Sequence, residues 1–120
     1  MAIASSIMIG IVAALHLYFL VLEMFLWTTP RGLRTFGNTL EQAQQSASLA
    51  MNQGLYNGFL AAGLIWGIIL GTGGFGVKVF FLACVIIAGV FGFATTKKRT
   101  ILLFQALPAL IALILVWLAR

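Results

Sequence analysis

The stretch SASLAMNQGLYNGFLAAGLIWGIIL, residues 46–70, contains no charged side chain. A helix needs about 20 predominantly apolar residues to cross the hydrocarbon core of a bilayer, so this stretch predicts a membrane-spanning helix. Residues 3–27, 77–95 and 101–118 are similarly apolar and predict three more spans. Because the backbone of a membrane span must satisfy its hydrogen bonds internally, these spans must be helices. We therefore predict an all-α, polytopic membrane protein, a four-transmembrane-helix bundle forming a single integral membrane domain over residues 1–120.

The composition also points to a membrane protein. Of the 120 residues, 62% are hydrophobic and 8% are charged, whereas a soluble domain carries about 25% charged residues. The formal net charge is +5, but the basic residues lie at the ends of apolar segments and form no stripe with interleaved aromatics. This pattern is typical of membrane anchoring and argues against nucleic-acid binding. The single cysteine, Cys84, allows no disulfide within the chain, and no metal site is predicted.

Polar and glycine-rich breaks separate the predicted spans and indicate their direction. The breaks are TTPRG (28–32), GTGGFG (71–76) and TTKKRT (95–100). Loop one (28–45) and loop three (96–100) hold five basic residues, namely Arg31, Arg34, Lys97, Lys98 and Arg99, whereas only Lys78 and Arg120 lie on the other side. The excess of basic residues in cytoplasmic loops predicts that loops one and three are cytoplasmic and both termini are outside. A capping box of Asn38 and Glu41 predicts that the second helix begins near Thr39 and runs to Leu70.

Polar side chains inside the spans share one depth. At about 100° per residue, Glu23 and Trp27 fall within about 20° of His16 on the first helix. On the second helix, polar side chains cover an arc of about 140°, and Gln105 adds an amide on the fourth. Most of them lie in the cytoplasmic half of the membrane at 1.5 Å of rise per residue. We therefore predict a polar pocket there, formed by His16, Glu23, Trp27, Asn52, Gln53, Tyr56, Asn57 and Gln105.

Each polar residue also has a purely structural interpretation. Glu23 could lie at the end of a shorter first span and reach the cytoplasmic headgroups near Arg31 and Arg34. In the pocket interpretation its carboxyl bonds instead to Asn52, Gln53 or Gln105. His16 could be a neutral histidine bonded to Asn57 or Tyr56, and the amides could serve only to hold helices together.

The second helix carries two rows of small residues. One row contains Gly63, Gly67 and Gly71, and the other contains Ala50, Gly54, Gly58 and Ala62. Small residues let neighbouring helices approach closely in membranes, so we expect this helix to receive two neighbours and to lie at the centre of the bundle. The rows also favour a homo-oligomer, either a dimer or a trimer.

Three functions fit these residues. In the leading one, the pocket binds or passes a small amphiphilic molecule, with Glu23 as the charged anchor and His16 as a proton-exchanging group. The second is a membrane enzyme acting on a lipid-soluble substrate, with His16 or Glu23 as general base. The third is a structural membrane subunit. The residues alone identify neither a catalytic group nor a cofactor.

The string NQGLYNGFLAAGL, residues 52–64, is the most distinctive in the chain. Together with HLYFLVLEMFLWTTPRGLRTF (16–36) and QALPALIAL (105–113), it resembles the small membrane proteins of domain-of-unknown-function family 1304. The resemblance covers essentially the whole chain. It implies a four-helix integral membrane protein and no particular activity.

Overall fold

The computed structural model describes residues 1–120 and is all-α, as predicted. Its helices are α1 (Ala2–Met24), α2 (Pro30–Phe36), α3 (Leu40–Leu70), α4 (Phe75–Thr96), α5 (Arg99–Ile101) and α6 (Leu107–Ala119). A 3₁₀ turn, Gly71–Gly74, joins α3 to α4, and a π-helical segment, Leu102–Ala106, joins α5 to α6.

Three continuous helical stretches are long and apolar enough to cross a membrane. They are Ala2–Met24, Leu40–Thr96 and Arg99–Ala119. The second stretch contains both α3 and α4, on either side of the Gly71–Gly74 turn, so it holds two of the four predicted spans. The first helix ends at Met24, which corrects the prediction that it continues to Trp27.

A capping box fixes the start of α3. The backbone N–H of Thr39 donates to Gln42 Oε1 at 2.9 Å, and the backbone N–H of Gln42 donates to Thr39 Oγ1 at 3.1 Å. The prediction that Asn38 and Glu41 form this box was therefore wrong by one residue. The backbone N–H of Asn38 instead donates to Leu33 O at 3.1 Å, which ties Asn38 to the end of α2. The predicted start near Thr39 is confirmed.

Helix α2 lies within the first predicted loop and was not predicted. Thr29 caps it, because its hydroxyl accepts a hydrogen bond from the backbone N–H of Gly32 at 3.4 Å. Pro30 occupies the first turn, where its missing N–H costs nothing. Gly37, with φ of 70°, ends the helix in the left-handed conformation that glycine adopts without strain.

The chain divides into two compact units. The central unit comprises residues 16–59, and the terminal unit comprises residues 1–15 and 60–120. Four helices build the core of the terminal unit. Its buried side chains are Ile9, Val12 and Ala13 from α1, Ala61 and Leu64 from α3, Leu82 and Val85 from α4, and Ala109, Ala112 and Val116 from α6.

Glycines on α3 allow close helix contacts within each unit. In the terminal unit, a Cβ on Gly63 would lie 2.3 Å from the Phe81 ring on α4, so only glycine leaves room for that ring. In the central unit, a Cβ on Gly54 would lie 2.5 Å from Met24 Cγ at the end of α1. The expectation that α3 receives two neighbours through its small residues is confirmed at these glycines.

The π-helical segment has a local cause. The ring of Pro108 clashes with the carbonyl four residues before it, and Pro108 has no N–H to donate. The helix accommodates this by widening over Leu102–Ala106, where the Leu107 backbone N–H donates to Leu102 O, five residues back. Gln105 therefore lies in a widened turn, where the regular spacing of 100° per residue does not hold.

Candidate functional site

The central unit buries a carboxyl group against an amide. Glu23 is the second-to-last residue of α1, and Asn57 lies in the middle of α3. Both side chains are buried, with exposed fractions of 8% and 7%. The Asn57 Nδ2 donates a hydrogen bond to Glu23 Oε1. The carboxyl of Glu23 was predicted to bond to Asn52, Gln53 or Gln105, and the structure gives it a different amide.

Close helix packing brings the two groups together. At Gly54, one turn before Asn57, an added Cβ would lie 3.2 Å from Glu23 Cβ and 3.3 Å from the backbone oxygen of Leu20. Backbone and side-chain stem of α1 therefore rest directly on α3 at this point. At 100° per residue, Asn57 lies about 60° from Gly54 on the α3 surface. Its amide consequently points along the same interface and reaches the carboxyl.

The other polar residues of α3 do not join this pair. Asn52, Gln53 and Tyr56 are exposed, and the Tyr56 ring lies 6.1 Å from the Phe59 ring on the same helix. Relative to Asn52, the residues Tyr56 and Gln53 lie at about 40° and 100°, whereas Asn57 lies at about 140°. Asn57 is thus the member of the predicted arc that borders the buried small-residue row.

Trp27 follows the end of α1 and holds a different position from the one predicted. Its indole Nε1 donates to Ser46 Oγ at 3.2 Å, and its ring packs on Phe36 at 4.8 Å between centroids. The indole therefore links the segment after α1 to both α2 and α3. The predicted stripe shared by Trp27, His16 and Glu23 is broken, because Trp27 is no longer on the helix.

His16 and Gln105 belong to different units. His16 is fully buried in the central unit, and its ring meets Phe19 edge-on at 5.4 Å. Gln105 is half-buried in the terminal unit.

Sequence reasoning missed an exposed contact in the central unit. The Nε and Nη2 of Arg31 donate to Tyr18 Oη at 2.9 and 2.6 Å, and the guanidinium carbon lies 5.5 Å from the centre of the Tyr18 ring. Two features of the sequence could have indicated this contact. Tyr18 is an amphipathic residue about one and a half turns before Glu23, and Arg31 lies at the start of α2. This contact holds α2 against the side of α1.

The chemistry available at the pair is that of a carboxyl with a neutral partner. A carboxylate offers about four lone-pair sites, and the Asn57 amide occupies one of them. No three His, Cys, Asp or Glu side chains in residues 1–120 lie close enough together to hold a metal ion. The remaining lone pairs of the Glu23 carboxyl can bind a cationic group or exchange a proton. The pair contains no recognisable nucleophile beside a base.

Fold and site together define an all-α protein with membrane-length helices and a buried acid–amide pair. The model of the family described as "Protein of unknown function (DUF1304)" matches residues 10–117, and the chain belongs to this family. The chain is also 31% identical to the uncharacterized protein YpaA of Lactococcus lactis subsp. lactis (strain IL1403) over 116 residues, which cover 95% of this chain and 97% of YpaA. No solved structure matches the chain. The resemblance that the motif around Asn52–Leu64 indicated is confirmed.

Proposed function

We propose that this chain is a multi-pass membrane protein that binds, or passes, a small amphiphilic molecule whose cationic end is held by Glu23. One observation carries the proposal: the buried carboxyl of Glu23 has the neutral amide of Asn57 as its hydrogen-bond partner. The chain contains seven lysines and arginines and only two acidic residues. A carboxyl serving the fold alone would gain more from one of those cations than from an amide.

Two of the seven basic side chains bond to neutral groups. Arg31 bonds to Tyr18, and Lys78 donates to the backbone oxygen of Gly71 at 3.0 Å. Burial of a charged group without an opposite charge is costly, and ionisable groups within membrane helices default to a functional hypothesis. A cationic ligand would supply the missing opposite charge, and its apolar part would lie among the hydrocarbon side chains around α1.

The helix lengths support a four-span arrangement in the bilayer. At 1.5 Å per residue, α1 and α4 are about 34 and 33 Å long, which matches the roughly 30 Å hydrocarbon core. Helix α3 is about 46 Å long, so its first turns, including Glu41, extend beyond the core. The basic residues of loops one and three support a topology with these loops in the cytoplasm and both termini outside.

The exposed amides of α3 support a homo-oligomer. Asn52 and Gln53 lie on a helix of membrane length yet point away from the chain's own core. An amide facing hydrocarbon loses its hydrogen bonds to water, and each amide is both a donor and an acceptor. Two copies of the same face can therefore satisfy each other, and the proposed partner of this face is a second copy of the chain.

The experiment uses two lipophilic ions of the same shape and opposite charge. Purified protein in nanodiscs is titrated with tetraphenylphosphonium and with tetraphenylborate, and binding is followed by intrinsic tryptophan fluorescence. We expect the cation to bind saturably and the Glu23→Gln variant to lose at least 10-fold in affinity for it. Affinity for the anion should not fall in that variant. Glutamine keeps the oxygen that accepts from Asn57, so the fold should be retained.

Glu41→Gln is the matched control, because it removes the second glutamate from an exposed position in the first turn of α3. This variant should bind tetraphenylphosphonium as the wild type does. Equal affinity of wild type and Glu23→Gln for the cation would overturn the binding role and leave the acid–amide pair as a structural link between helices.

A further inference from the structure

A second polar site lies entirely within the terminal unit. A cavity of about 320 Å³ opens where the start of α1, the Gly71–Gly74 turn and the end of α6 meet. Its polar lining comprises Ser5, Ser6, Thr72, Lys78 and Arg120, and Phe75 forms part of its apolar wall. No acidic side chain lines it. Both glutamates of the chain, Glu23 and Glu41, belong to the central unit.

The packing of α3 against α4 positions the Lys78 ammonium. A Cβ on Gly67 would lie 2.8 Å from Lys78 Cγ, so the absence of a side chain at Gly67 leaves room for the Lys78 methylenes to pack against α3. The Nζ then donates to the backbone oxygen of Gly71 at 3.0 Å. Gly71 has φ of 62°, which glycine adopts without strain, and this conformation forms the turn that presents its carbonyl. An ammonium has three donors, so two are left for a ligand.

Aromatic rings position the Arg120 guanidinium. Its central carbon lies 4.3 Å from the centre of the Trp117 ring and 6.0 Å from that of the Phe75 ring, and these two rings pack on each other at 5.4 Å. Stacking uses the face of the guanidinium and leaves its N–H edge available for hydrogen bonds. Two cations are thus held at one cavity by neutral groups.

We propose that this cavity binds a phosphate group. Arginine presents paired donors that match phosphate oxygens, and lysine adds a point charge. The hydroxyls of Ser6 and Thr72 can donate to the remaining oxygens. The cavity volume lies at the lower end of the range for small-molecule sites, which suits a headgroup and excludes a whole lipid.

Two sources supply this chemistry, namely a phospholipid headgroup and free inorganic phosphate. The apolar part of the lining, with Ala2, Phe75 and Val116, lies beside helices of membrane length, where acyl chains attached to the phosphate can continue along the protein. The site shares no residue with the Glu23–Asn57 pair, so either proposal can fail without the other.

The test measures binding by the fluorescence of the purified protein in dodecyl maltoside, a detergent without phosphate. Dioleoyl phosphatidic acid is compared with dioleoylglycerol, which has the same acyl chains and no phosphate, and inorganic phosphate is compared with chloride at equal ionic strength. We expect phosphatidic acid to bind at least 10-fold more tightly than dioleoylglycerol. Saturation by inorganic phosphate alone would identify free phosphate as a sufficient ligand, and binding of the lipid only would identify the headgroup.

The Lys78→Gln/Arg120→Gln double variant should lose at least 10-fold in affinity for the phosphate-bearing probe that the wild type binds. Arg34→Gln/Lys98→Gln removes the same two residue types from exposed positions elsewhere and should bind as the wild type does. If the first double variant does not fold, Arg120→Gln alone replaces an exposed side chain and should still weaken binding several-fold. Unchanged affinity on loss of the cavity cations, or an equal loss in the control, would overturn the proposal.

Discussion

The side-chain amide of Asn57 donates a hydrogen bond to the buried carboxyl of Glu23 and so joins the end of α1 to the middle of α3. Gly54 makes this contact possible, because its missing side chain allows α1 to rest on α3 one turn away from Asn57. The pair is the only place in residues 1–120 where an acidic side chain is buried, since Glu41 is exposed.

Replacing both Glu23 and Asn57 should lower the free energy of unfolding by less than the sum of the decreases caused by the two single substitutions. Asn57→Ala leaves a buried carboxyl without its donor, which typically costs about 1–3 kcal/mol, and Glu23→Ala leaves a buried amide. We expect a coupling free energy of about 1 kcal/mol from a double-mutant cycle, measured by denaturation in detergent micelles. Strictly additive effects would show that the two side chains do not interact in the folded protein.

Two glycines on the same face of α3 should respond differently to alanine. At Gly54 an added Cβ meets Met24 Cγ, Glu23 Cβ and a backbone oxygen, whereas at Gly58 it meets only the far end of the Leu20 side chain, at 2.8 Å. We expect Gly54→Ala to destabilise the protein by about 1–3 kcal/mol through overpacking. Gly58→Ala should be close to neutral, because the leucine can turn away and alanine favours helix.

Thermal melting of the two variants in the same detergent checks this order. A Gly58→Ala loss as large as that of Gly54→Ala would mean that α1 lies closer to Gly58 than the structure shows.

Alanine substitutions at the start of α3 should show whether Thr39 or Asn38 caps this helix. Thr39 and Gln42 satisfy each other's backbone N–H groups, so Thr39→Ala should lower stability by about 1 kcal/mol. Asn38→Ala should cost less, because the hydrogen bond at Asn38 is donated by its backbone, which alanine retains. Denaturation curves of the two single variants decide between the caps, and a larger loss at Asn38 would restore the capping box predicted from the sequence.

Sequence patterns predicted the helices well and their partners poorly. The apolar runs identified α1, α3, α4 and the Arg99–Ala119 stretch because membrane-length hydrophobicity is a local property. Helix α2 was overlooked although Thr29, Pro30 and Gly37 carry its capping signals, since a seven-residue helix adds little apolar periodicity. The end of α1 at Met24 was missed because residues 25–27 remain apolar beyond it.

At the candidate site too, the sequence predicted which residues share a helix face but not which of them contact the neighbouring helix. Helical periodicity placed Asn52, Gln53, Tyr56 and Asn57 on one broad arc, and it could not tell which of them borders the neighbouring helix. That depends on where α1 crosses α3, which Gly54 determines through contact with Met24 and Leu20. The resulting crossing turns Asn57 inward and leaves the other three exposed, a distinction of about 40° or more around the helix axis.

The proposed topology predicts which loops a membrane-impermeant thiol reagent can reach. A single cysteine is introduced at Gly73 or at Thr96 in a Cys84→Ser background, and intact cells are labelled with a charged maleimide. We expect labelling at position 73, in the turn between α3 and α4, and none at position 96 until the membrane is permeabilised. The reverse pattern would contradict the orientation inferred from the basic residues of loops one and three.

The most direct test of the role of Glu23 is site-resolved chemical modification with and without a cation. Dicyclohexylcarbodiimide is an apolar reagent that modifies carboxyl groups shielded from water, and mass spectrometry of the protein in native membranes reports which glutamate has reacted. We predict modification of Glu23 and little at the exposed Glu41. Tetraphenylphosphonium should slow the reaction at Glu23 several-fold, and tetraphenylborate should not. Modification of Glu23 at the same rate with and without tetraphenylphosphonium would contradict the claim that this carboxyl holds a cationic ligand.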